Sequence, residues 1–137
     1  MRKLFASALA VAALATATPV FAFDADARAT AFRADQLAQS SYALADSASA
    51  HGRVIIANKA EQLAGDAGSL ADAAYRASRG PRGQQEIRSR FILVRGSFQD
   101  LRDRWLEIRG GVRDANLRYA YQGVQAAWQN LRQEVRD

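Results

Sequence analysis

Between Arg90 and Gly96 the chain reads RFILVRG. Four apolar residues in a row, two of them β-branched, closed by Arg-Gly, have the local look of a short buried strand. The wider spacing decides otherwise. Starting at Ile87, the apolar residues recur as Phe91, Val94, Phe98, Leu101, Trp105 and Ile108, in unbroken steps of four and three. That repeat belongs to a helix with a single apolar seam. Phe91 and Val94 are two of its seam positions, and a strand would leave the other five unexplained. The stretch is therefore predicted to lie inside a long helix.

The same rhythm runs through the neighbouring segments. One reads Leu117, Tyr121, Val124, Trp128, Leu131, Val135; another reads Ile56, Ala60, Leu63, Ala67, Leu70, Ala74, Ala77. The first is weaker and smaller: Ala27, Thr30, Ala34, Leu37, Ser41, Leu44, Ala48. Gly52, the glycines of SRGPRG (Ser78 to Gly83) and Gly110-Gly111 punctuate the four segments. Four amphipathic helices of similar length with short connections predict an all-α, up-down-up-down antiparallel four-helix bundle. Gly83 and Gly111 read as helix N-caps, because Glu86 and Asp114 follow each by three residues. Helices 1 and 2 supply mostly alanine to the core and should approach closely, whereas helices 3 and 4 supply the bulky rings.

The N-terminus carries a different signal. Met1-Arg2-Lys3 precedes an apolar run from Leu4 to Ala17, then Pro19 and Val20-Phe21-Ala22. Charged start, apolar stretch and small-residue site together predict a secretory signal peptide over residues 1–22, cleaved after Ala22. Residues 23–137 then form one bundle domain, long enough for a real core. The chain has no cysteine, so it carries neither disulfides nor the thiol of a lipoprotein anchor. The expected place is the periplasm or the cell exterior, with no transmembrane segment in the mature chain.

Charge is spread unevenly. Phe23 to Tyr75 carries 4 basic and 7 acidic residues, and Arg76 to Asp137 carries 13 basic and 7 acidic. Within the basic half, Arg88, Arg95, Arg102 and Arg109 are spaced by seven and form one stripe beside the helix 3 seam. None has an acid three or four residues away, unlike Glu86–Arg90, Asp100–Arg104 and Asp114–Arg118, which are spaced to pair along a helix. Two readings compete for the stripe. Its stems could cover the seam while its heads stay in water or pair with acids of another helix, Asp66 or Asp72. Alternatively it is an anion-binding ridge, extended at one end by Arg76, Arg79 and Arg82. Ile92, Leu93 and Leu106 fall off the seam, as do Phe32 and Tyr42. The first three are candidate partner contacts if they remain exposed.

Chemistry is mostly excluded. After residue 22 there is one histidine, His51, and no methionine. A haem bundle needs axial His or Met ligands, and a di-iron bundle needs Glu-x-x-His pairs. Glu61, Glu86, Glu107 and Glu134 are all the glutamates, and none has a histidine three residues on. Asp46, Ser47, Ser49 and His51 crowd one turn without a nucleophile elbow, and His51 reads as a solvated residue at a helix end. No cofactor, metal or catalytic residue is expected. The sequence points to a non-enzymatic, exported binding or scaffolding protein of a bacterial envelope. Its expected partner is an anionic lipid, glycan or acidic protein. The alternatives are an oligomeric interaction module and a small-ligand carrier. Nucleic acid suits the charge but not the compartment.

Overall fold

A computed structural model describes residues 26–77 and 81–135, without the side chains of residues 81 and 82. The segment read as a signal peptide lies outside the described residues. Four helices follow in order: α1 (Ala27–Ala50), α2 (Val54–Arg76), α3 (Pro81–Ile108) and α4 (Ala115–Glu134). A single 3-10 turn, Arg109–Gly111, precedes α4. Among the described residues there is no strand, and RFILVRG sits in the middle of α3. No described helix is long and apolar enough to cross a membrane.

The helix ends explain the boundaries. Asp26 caps α1, its carboxylate accepting from the Arg28 and Ala29 amides at 3.0 and 3.2 Å. At the other end, the amides of Gly52 and Arg53 return to the carbonyls of Ser49 and Ala48, and Gly52 takes φ +72°. That left-handed residue is the usual stop for a helix, and glycine adopts it without strain. The two glycines read as N-caps do not serve as such. Helix α3 opens at Pro81, a residue suited to the first helical position because it has no amide hydrogen to satisfy. Gly83 lies within its first turn, where an added Cβ would come within 2.6 Å of the Ala77 carbonyl oxygen. It is there for close approach to the end of α2. Helix α4 is capped by Asp114, whose carboxylate accepts from the Leu117 amide at 2.9 Å.

Every seam position of α4 is buried, and so is every one of α3 except half-buried Ile108. Helices α1 and α2 bury a second register as well, Ala31, Ala38 and Ala45 on α1 and Ala57, Ala64 and Ala71 on α2. Alanine on both sides lets these two backbones come closest of all. Helix α2 also packs on α3, and α1 on α4. Across the α3–α4 side the backbones stand further apart, because aromatic rings fill the space between them. Two contacts show that α1 and α4 run antiparallel. Arg33 near the start of α1 meets Glu134 at the end of α4, and His51 at the end of α1 meets Asp114 at the start of α4.

Candidate anion-binding groove

The rings between α3 and α4 are stacked in register. The Trp128 indole lies against Phe98 (centroids 5.0 Å apart) and Phe91 (5.5 Å), each within 16° of parallel. One step along, Trp105 stacks on Tyr121 at 4.4 Å. Later residues of α3 thus meet earlier residues of α4. Phe91, Phe98, Tyr121 and Trp128 are each only 4% exposed and Trp105 6%, so the rings form a closed floor. Above the floor, the wider spacing of the two helices leaves a groove.

Two depressions lie along that groove. One, of about 480 Å³, is lined by Arg95, Gln99 and Arg102 of α3 and by Arg132 of α4, over Phe91, Phe98 and Trp128. The other, of about 330 Å³, is lined by Arg102, Leu106 and Arg109 on one wall and by Arg118, Gln122 and Gln125 on the other, over Trp105 and Tyr121. Arg102 belongs to both. Three of the four stripe residues therefore face α4 across a groove, and the antiparallel register pairs them with α4 residues in the same seven-residue spacing. Arg95 lies with Arg132, Arg102 with Gln125 and Arg109 with Arg118. Successive rungs are about 10.5 Å apart along the helix, at 1.5 Å per residue. Arg88 is exposed and lines neither depression. Arg76 is exposed at the end of α2. Arg79 and the Arg82 side chain lie outside the described residues.

Among the described residues, no carboxylate lines either depression. Arg95 has its guanidinium 5.9 Å from the Phe91 ring centroid, a cation–π placement. Among the described residues, Arg102 pairs with its exposed chain neighbour Asp103, at 3.5 Å, and an exposed pair of that kind contributes little. Arg118 donates to the Val112 carbonyl at 2.8 Å, not to Asp114. The Asp66 carboxylate accepts the Ser97 hydroxyl and ties α2 to α3. Of the pairs expected along the helices, Glu86–Arg90 forms at 3.1 Å. Arg104 turns to Glu107 at 3.0 Å instead of Asp100. Asp114 caps α4 and meets His51.

The cations of the groove are guanidinium groups, each a planar fork of hydrogen-bond donors with no acceptor. Burial pushes the Tyr121 phenol up, and the nearby charges of Arg102 and Arg109 offset this only in part. The phenol stays protonated, a hydrogen-bond donor rather than a nucleophile. The chemistry available is charge-assisted hydrogen bonding from guanidinium, with amide groups between.

The partner-contact candidates are all exposed and are spread around and along α3. Ile92, Leu93 and Leu106 are 47%, 53% and 49% exposed. Ile92 and Leu93 diverge by about 100° around the helix, and Leu106 is about 21 Å along it from Ile92. Leu106 sits on the groove wall. The α4 side of the groove was not anticipated from the sequence, although Arg118, Gln125 and Arg132 share a register beside the α4 seam. No family model, curated protein or solved structure matches the chain.

Proposed function

We propose that this is a non-enzymatic binding protein whose α3–α4 groove takes an anionic partner. The observation that carries the reading is the facing of arginines from two helices across one groove, with no carboxylate among the described residues of its lining. Cations gathered in this way repel one another in the free protein, and an anion relieves that repulsion. Each charge-assisted hydrogen bond to a guanidinium contributes about 1.5–3 kcal/mol. The charged start, apolar run and Val20-Phe21-Ala22 site support export to a bacterial envelope, where acidic glycans, lipids and proteins are the available partners.

The test is binding of soluble polyanions to the full chain at low ionic strength and again at about 0.15 M salt, where exposed charges are screened beyond roughly 8 Å. Binding should weaken with salt. R95E/R102E should weaken it by about tenfold or more, a loss of about 1.4 kcal/mol or more in binding. The control is R90E/R104E, which changes net charge equally at residues already paired with Glu86 and Glu107. Equal losses in the two variants, at unchanged helix content, would mean that net charge alone binds and the groove is no site.

A further inference from the structure

Resting on that anion-binding reading, we infer that the occupant is a linear acidic polysaccharide, one chain wide, with one anionic group for every two sugar rings. Four observations lead there. The first is the repeat. Arg95 with Arg132, Arg102 with Gln125 and Arg109 with Arg118 make three rungs over about 21 Å, and an extended chain with a carboxylate or sulfate on alternate sugars matches a cation at each rung.

The second is what stands between the cations. Gln99, Gln122 and Gln125 are exposed on the walls. An amide both donates and accepts, which suits hydroxyl groups and is wasted on a polymer that only accepts, such as polyphosphate. The third is the state of the floor. The rings are stacked on one another and only 4–6% exposed. None offers a free face to a nucleobase, which binds single strands by stacking on open aromatic rings. Nor does the floor offer the open apolar strip that an amphipathic helix seeks. The fourth is shape. A flat lipid surface meets the ridges of a bundle, whereas these guanidinium groups line a recess between two helices.

The experiment uses the immobilised full chain and hyaluronan oligosaccharides, whose carboxylates recur once per disaccharide. The competing probes are long-chain polyphosphate, phosphatidylglycerol vesicles and a helical peptide with glutamate at every seventh position. Affinity should climb from disaccharide to hexasaccharide, as the third rung fills, and level off at the octasaccharide. Q99A/Q125A should weaken hexasaccharide binding by about tenfold, the scale of one or two lost hydrogen bonds, and leave polyphosphate binding unchanged. Three results overturn the inference while the anion-binding reading stands. These are affinity independent of glycan length, a Q99A/Q125A loss that is equal for both polymers or absent, and vesicles or peptide binding more tightly than the glycan. If no probe binds at low salt, the anion-binding reading fails as well.

Discussion

The Trp128 indole of α4 is stacked on two rings of α3, Phe91 and Phe98. Trp128→Ala should lower unfolding free energy by about 3–5 kcal/mol, read from the denaturant midpoint. A loss under about 1 kcal/mol would place the ring at the surface. His51 acts on a smaller scale and responds to pH. Its Nδ1 faces the Ser47 carbonyl and its Nε2 faces Asp114, each at 2.8 Å. Both neighbours are acceptors, so both ring nitrogens are satisfied only in the imidazolium. The Ser47 hydrogen bond first, then the Asp114 charge, raise the histidine pKa above its ordinary 6.5. The Leu117 amide first, with help from His51, lowers that of Asp114 below 3.8. The sign follows from each shift. The histidine contribution is complete below pH 6.5 and is lost as pH rises through the raised value. The aspartate contribution is complete above pH 3.8 and is lost as pH falls through the lowered value. The thermal midpoint of the wild type should therefore decline as pH climbs from 6.5 through the raised value, and His51→Gln should flatten that decline. An identical profile in both proteins would show the contact to be inert.

At the scale of the helix, α3 was largely legible in the sequence and its surroundings were not. Seven apolar positions in one phase override the strand-like look of Phe91 to Val94, because burial follows periodicity and not local composition. The helix starts were misjudged for a physical reason. Glycine is an acceptable cap, yet Asp114 can cap α4 with a carboxylate, and Gly83 is needed where α2 and α3 nearly touch. The stripe Arg95, Arg102 and Arg109 was visible as a register, but its facing wall on α4 was not. Arg118 had a nearer apparent partner in Asp114, and only the handed packing of the bundle decides which side of α3 meets α4. The exposed apolar residues of α3 give a test at this scale. Ile92, Leu93 and Leu106 changed together to Gln should leave the thermal midpoint nearly unchanged, since surface substitutions stay within about 0.5 kcal/mol. A loss of several kcal/mol would show that they are core. Weakened self-association, read by sedimentation, would assign them to an interface between copies.

Across the whole molecule, packing and charge work against each other on the same side. Helices α1 and α2 lie close on alanine, while α3 and α4 are held apart by rings and carry arginine on both rims. Arg102 stands in both depressions, between Arg95 and Arg132 at one end and Arg109 and Arg118 at the other. Arg102→Gln should therefore stabilise the free protein at low ionic strength by about 0.5 kcal/mol, the scale of exposed charge interactions. The gain should fade with added salt while anion binding falls. A destabilised variant would mean that the guanidinium is held by the fold and not by its partner. The stacked rings have a further consequence. They are a gauge that sets the distance between two charged rails from inside the protein. Exchanging Trp128 for a smaller ring would narrow that gauge while every arginine and glutamine of the walls stays in place. Descendants of this chain thus have a route to a new ligand width through the interior alone, with the arginine ladder inherited intact.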